Sequence, residues 1–145
     1  MVKLGIVNLS DNNTPEYKTV GSSGMDIQAF LEEAIILYPG QRELIHTGIF
    51  LDIPVGYEVQ VRSRSGLALK NGLIVLNEPG TIDSDYTGEV GVILYNASSE
   101  PQKVSPGDRI AQLVLAKVEQ AEIVRLEEIV KVTERGSGGY GHTGV

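Results

Sequence analysis

Turn signals recur along the whole chain at short spacing, and this limits the fold more than any other feature of the sequence. Pro39-Gly40, Pro54-Val55-Gly56, Pro79-Gly80 and Pro106-Gly107-Asp108 each combine a residue of fixed φ with one that tolerates positive φ. Between them lie short runs rich in Val, Ile and Leu. Tyr57, Val59 and Val61 alternate with Glu58, Gln60 and Arg62, the two-residue period of a strand. Leu44 to Ile53, Val90 to Tyr95 and Arg109 to Val118 also read as strands. In the last, Ile110, Val114 and Val118 share one face, and Leu113 and Leu115 the other. A strand apolar on both faces is expected in a sandwich core or at a subunit interface. Many short strands joined by turns predict an all-β fold, a sandwich or jelly roll.

Two stretches read either way. Leu31 to Leu37 and Glu119 to Lys131 contain good helix formers. The second also puts Val124, Leu126, Val130 and Val132 on one strand face, which favours strand for its first half. A short helical turn is expected over Ser65 to Asn71, with Ser65 as a cap and Gly72 as its stop. No internal repeat is visible. The length of 145 residues predicts one domain over 1–145, with 134–145 as a mobile arm. That arm holds five glycines between Arg135 and Gly144 and has no apolar period. Its Arg, aromatic, hydroxyl and imidazole groups sit among residues that permit close backbone approach, which suits an arm that orders over an anion and a ring.

Composition narrows the partners. The net charge of −7 argues against general nucleic-acid binding, which needs many Lys and Arg against phosphates. A local cluster of Arg, backbone N–H groups and a metal ion can still hold phosphates in an acidic protein. With no cysteine, disulfides and thiol catalysis are excluded, consistent with a reducing cytoplasm. No segment is apolar enough to cross a membrane, and Met1 to Ser10 carries no signal-peptide pattern. A cytoplasmic protein with no membrane partner is expected.

Five segments carry candidate chemistry. Gly24-Met25-Asp26-Ile27 offers one carboxylate in a turn-like setting. Arg64-Ser65-Gly66 opens the expected helical turn, where a forked guanidinium, a hydroxyl and free N–H groups suit phosphate. Asn77 to Glu89 contains Asp83 and Asp85 around Ser84, with Tyr86 beside them. A carboxylate that orients water is a common general base. Asp83 and Asp85 share a face in extended backbone and need not in a tight loop. Gln112 is polar within an apolar strand, so it must find hydrogen bonds or face a polar cavity. The fifth is the arm itself. His46 is expected to be a core or strand-face residue.

Together, in order and spacing from Ser22 to Gly144, these segments resemble the five motifs of the trimeric dUTPase family. The runs Gly80-Thr81-Ile82-Asp83-Ser84-Asp85-Tyr86-Thr87-Gly88-Glu89 and Arg135-Gly136-Ser137-Gly138-Gly139-Tyr140-Gly141-His142-Thr143-Gly144 carry most of the likeness. The resemblance implies a jelly-roll-like β-barrel assembled as a homotrimer, with active sites between subunits and the arm of one chain closing a site built by its neighbours. It implies hydrolysis of dUTP to dUMP and pyrophosphate with Mg²⁺, limiting uracil in DNA and supplying dUMP for dTMP synthesis. Asp83 would orient the attacking water. Asn77, Gly80, Thr81 and Ile82 would recognise uracil, Tyr86 would pack under the deoxyribose, and Tyr140 would stack on the base. Arg64, Ser65, Gly66 and Gln112 would hold the phosphate chain, joined by Arg135, Gly138, His142 and Thr143 from the arm. Asp26 would reach the magnesium through water.

Two departures from the family pattern are Tyr140, where phenylalanine is usual, and Ser63, where proline is usual. Stacking survives the first. The second predicts a looser turn before Arg64. Arg109 reads as a structural partner of a nearby acid. The related dCTP deaminases place a catalytic glutamate in the strand after the third motif and lack the arm motif. Here that strand, Gly91 to Asn96, holds no acid, and the arm is complete. A non-catalytic nucleotide-binding module would be expected to have lost Asp83 or the arm.

Overall fold

The computed structural model describes residues 1–144. Its elements in chain order are β1 (Gly5–Asn8), β2 (Gly24–Gln28), β3 (Ile35–Leu37), β4 (Arg42–Asp52), β5 (Tyr57–Arg62), α1 (Ser65–Asn71), β6 (Leu73–Val75), β7 (Gly80–Ile82), β8 (Glu89–Asn96), β9 (Gln102–Val104) and β10 (Arg109–Lys117). One four-stranded sheet runs β1-β4-β8-β6, a second runs β2-β10-β5-β7, and β3 pairs with β9. All pairings are antiparallel. The all-β expectation holds. The hydrogen-bonded ladders do not close into a barrel, because β1 and β6 edge one sheet and β2 and β7 edge the other.

Alternation drives both sheets. On β5, Val59 and Val61 are buried while Tyr57, Glu58, Gln60 and Arg62 are part-exposed. On β8, Val90, Val92, Leu94 and Asn96 point inward. These side chains join Met25, Ile27, Ile45, Ile49 and Leu51 in one buried cluster drawn from both sheets. Each fully buried aliphatic side chain contributes about 1.5–3 kcal/mol relative to exposure. β10 lies between β2 and β5 and buries both faces, as its sequence predicts: Ile110, Ala111, Leu113 and Val114 are all buried. A register shift between Arg109 and Ala111 lets consecutive residues Ile110 and Ala111 both turn inward.

The helical turn forms over Ser65–Asn71, but Ser65 is not its cap. Arg64 takes the N-cap position with extended backbone, makes no side-chain capping bond, and leaves Ser65 as the first helical residue. Gly72 ends the helix as expected, with φ of 63° and its N–H bonded to Ala68 C=O at 3.0 Å. Leu31 to Leu37 contains no helix, only β3 at its end. The strand expected in the first half of Glu119 to Lys131 is absent: Ile123, Val124, Leu126, Val130 and Val132 are exposed. A strand needs a partner ladder, and among the described residues the last backbone bond between this segment and the body is Val118 N–H to Gly56 C=O, 2.9 Å. No helix among the described residues is long and apolar enough to cross a membrane.

Candidate active site

Three of the five sequence segments meet at one end of the second sheet. The ladders set Gln112 of β10 opposite both Asp26 of β2 and Arg62 of β5. The chain leaves β5 through Ser63 and delivers Arg64 to the same edge. Arg64 Nε donates to Asp26 Oδ1 at 2.9 Å, and Arg109 Nη1 donates to Asp26 Oδ2 at 3.4 Å. Arg64 Nη1 also reaches Arg109 C=O at 3.3 Å. Arg109 therefore has the structural role expected of it. Gln112 Nε2 donates to Ser63 C=O at 2.9 Å, which satisfies this polar group within its apolar strand. Gly24 permits that arrangement, since a Cβ there would collide with Gln112 Oε1. Ser65 and Gly66 are exposed in the first helical turn, where N–H groups have no intrahelical acceptor.

Ser63 does not loosen the turn. Its N–H donates to Glu78 Oε1 at 2.8 Å, its hydroxyl donates to Glu78 Oε2 at 2.6 Å and accepts from Val75 N–H at 2.9 Å. These bonds hold the loop in place of the restraint a proline ring would give.

The third segment forms a separate feature. A turn over Leu76 to Pro79 carries the chain from β6 in the first sheet to β7 in the second, and a tight turn follows at Asp83 to Tyr86. Tyr86 N–H donates to Asp83 C=O at 3.1 Å and Tyr86 Oη to Glu89 C=O at 2.9 Å, so the ring is held at both ends. Asp83 and Asp85 are both exposed on this turn and lie in no strand. Ile82 is buried at 8% exposure, so only its backbone faces outward chemistry. A cavity of about 450 Å³ is lined by Asn77, Thr81, Ile82, Asp83 and Tyr86, together with Leu44, His46 and Glu89. The last three were not read from the sequence as site residues. Leu44 and His46 lie opposite Ile93 and Gly91 across the β4–β8 ladder, and that register carries no signal in sequence alone. His46 is a strand-face residue and is exposed. Its Nδ1 lies 2.7 Å from Glu89 Oε1, while Glu89 Oε2 accepts from Gly48 N–H at 2.9 Å. Burial pushes the Glu89 carboxyl up, but the bonds from His46 and Gly48 outweigh it and hold the group below its ordinary range.

The two features do not meet within the chain. β7 pairs Ile82 with Val59, which sets Asp83 near the start of β5, whereas Arg64 follows its end. The strand between them has six residues and spans roughly 20 Å. The arm stands apart from both. Arg135 Nε bonds to Gly138 C=O at 2.8 Å, Tyr140 is fully exposed with φ of 53°, and Arg135, His142 and Thr143 line a hollow formed by the arm itself. Val145, the last residue of the expected arm, lies outside the described residues.

Among the described residues, no three metal-ligating side chains come together. Asp26 offers one carboxylate whose two oxygens already accept from guanidinium groups. That donor set fits a magnesium that arrives on triphosphate oxygens with its waters, not one caged by the chain.

The sequence profile of the dUTPase family matches residues 11–144. The chain belongs to the dUTPase family. A deoxyuridine 5'-triphosphate nucleotidohydrolase of Chlamydia muridarum is 58% identical over 135 residues, covering 93% of each chain. One from Finegoldia magna is 49% identical over 143 residues, covering 99% of each. A variant dUTPase of Staphylococcus bacteriophage 80alpha, solved with dUpNHpp, superposes with a TM-score of 0.86 at 28% identity over the full length of both chains. A variant dUTPase from phage phi11 of S. aureus, described as showing the coordination of a structural Mg(II) ion, gives 0.76 at 27% identity, covering 88% of this chain and 98% of that one. The activity of this dUTPase is that of a dUTP nucleotidohydrolase, a hydrolase.

Proposed function

We propose that this dUTPase forms dUMP and pyrophosphate by magnesium-assisted, in-line attack of an Asp83-oriented water on the α-phosphorus, in sites shared between the subunits of a homotrimer. The observation that carries this reading is the cavity that gathers Asn77, Thr81, Asp83 and Tyr86 around β7.

Asn77 and the backbone of Gly80, Thr81 and Ile82 read the uracil edge. The buried Ile82 side chain supports this division, because it fixes the strand and leaves the backbone free to bond. Fixed amide groups aimed at uracil lose their partners when cytosine enters, so discrimination can be large. Tyr86, held at both ends, packs under the deoxyribose where a 2′-hydroxyl would need room. Asp83 accepts a proton from the attacking water. Arg64, the Ser65 and Gly66 N–H groups and Gln112 hold the phosphate chain, and Asp26 meets the metal's water shell. When bound, magnesium neutralises and orients the triphosphate. The arm adds Arg135, Gly138, His142 and Thr143 at the phosphates and Tyr140 over the base. Rate acceleration comes from positioning and charge stabilisation, with no covalent intermediate.

The strand length between Asp83 and Arg64 supports shared sites, since one chain cannot bring both to one phosphate group. The apolar run from Ile123 to Val132, exposed in the isolated chain, supports association in which a neighbour covers it. The expected setting is the cytoplasm, where the reaction limits uracil in DNA and supplies dUMP for dTMP synthesis.

Incubation with each deoxynucleoside triphosphate and magnesium tests the reading. Pyrophosphate from dUTP alone is expected. Ammonia from dCTP would move the chain to deaminase chemistry, and bound but unreacted dUTP would make it a binding module.

A further inference from the structure

The turn between β6 and β7, which holds Asn77 to Pro79, links the first sheet to the second. The Glu78 carboxylate ties it to the loop before α1, through the Ser63 N–H at Oε1 (2.8 Å) and the Ser63 hydroxyl at Oε2 (2.6 Å). The Ser63 hydroxyl oxygen also accepts from the N–H of Val75, the last residue of β6, 2.9 Å. The Ser63 carbonyl accepts from Gln112 Nε2, 2.9 Å. Every polar group of Ser63 is thus engaged, and the residue next to Arg64 is bonded to the end of β6, to the turn that follows it and to the glutamine at the phosphate end.

We propose that Glu78 and Ser63 form a positioning clasp that fixes the base-reading turn against the phosphate loop and thereby sets discrimination of uracil from cytosine. The proposal rests on the base-reading role given above to Asn77 and Gly80–Ile82. Backbone groups exclude a wrong base only while they cannot shift to suit it, so a specificity turn needs a second layer of contacts to hold it. Here that layer is a carboxylate on two donors of one residue, which fixes orientation as well as distance. A proline at 63 would offer neither the N–H nor the hydroxyl, so the clasp depends on the serine there. Asp83 sits near the opposite end of β5 from Ser63. The clasp therefore acts on base choice and affinity and leaves water activation alone.

Glu78 is exposed, so its replacement leaves the fold intact. The test uses the full chain and its Glu78→Ala and Glu78→Gln variants, with kcat and KM for dUTP, the inhibition constant of dCTP and the thermal midpoint. In Glu78→Ala the KM for dUTP rises about tenfold, as loss of charge-assisted bonds implies, while kcat stays within about twofold. The dCTP inhibition constant barely moves, so discrimination narrows about as much as KM rises. Glu78→Gln, which keeps one acceptor for the Ser63 N–H, falls between. Ser63→Ala added to Glu78→Ala changes dUTP discrimination little further, because the clasp is already open. Unchanged KM and discrimination in Glu78→Ala would overturn the proposal. So would a parallel loss for both nucleotides with a lowered midpoint, the mark of a merely structural residue. A wild-type chain that fails to prefer dUTP would instead sink the base-reading assignment itself.

Discussion

Arg64 and Arg135 are both assigned to the phosphate chain, yet they stand in contrasting surroundings. The Arg64 side chain is 25% exposed and is held by Asp26 and the Arg109 carbonyl at the edge of a four-stranded sheet. Arg135 lies in the exposed arm and bonds to a carbonyl only three residues on. The first is preorganised and loses little freedom on binding, so its contribution goes into orienting phosphate. The second must be ordered with its whole segment, at a cost of about 1–2 kcal/mol per residue of backbone. Such an arm is useful only if it makes many contacts at once, and its later release lets product leave. In the proposed mechanism body and arm thus divide the labour: the body holds a fixed geometry, and the arm is to close over it.

The largest effect should come from breaking the chemistry inside the body. Asp83→Asn removes the water-orienting charge and keeps the shape, so kcat should fall about 100- to 10,000-fold while dUTP affinity, measured by calorimetry, persists. Near-normal turnover would remove Asp83 from its role. Deleting the arm from Arg135 onward tests the other side of the contrast. Among the described residues no buried hydrophobic residue lies beyond Val114, so the thermal midpoint should hold, while activity drops about 100- to 1,000-fold. Full activity in the truncated protein would make the arm dispensable.

Smaller changes sharpen how rigid the body must be. Gly24→Ala drives a Cβ into the Gln112 amide and off its Ser63 bond, which should cost about 1–3 kcal/mol of stability and raise KM several-fold. An unchanged KM would show that Gln112 need not be fixed. The smallest effect concerns acid. The Glu89 carboxyl is held below its ordinary range, so the unfolded chain binds the proton more readily. The stabilisation is present above that range and fades as pH falls through the folded value. Glu89→Gln should therefore lower the thermal midpoint at neutral pH and reduce the further loss between about pH 5 and pH 3. An acid response identical to the wild type would contradict the pairing of Glu89 with His46 and Gly48.

What could be read in advance follows the same division. β5 and β10 were legible because alternation or two-sided apolarity extends over six residues or more. α1 was legible from its glycine stop, though the cap fell one residue earlier than expected, on Arg64. Strands of three residues, such as β6, β7 and β9, carry too little period to be found, yet β6 and β7 flank the turn that holds Asn77. Asp26, Arg64 and Gln112 could be picked out singly by residue type, but their meeting depends on register, which sequence does not spell out. Ser63 was misread for the same reason: its partners Glu78 and Val75 are distant in sequence. The apolar run after Glu119 looked like a strand because pattern reports what a segment can bury, not whether a partner lies within the same chain.

The claim that Asp83 and Arg64 serve one reaction only from different subunits can be tested by mixing. Asp83→Asn and Arg64→Ala chains should each be nearly inactive alone. Unfolded together and refolded at equal ratio, they should regain about a quarter of the wild-type rate, because chains drawn at random around a closed symmetric assembly give one site in four an intact residue of each kind. No recovery in mixed assemblies of the correct mass would contradict the account and place both residues in a site built by one chain.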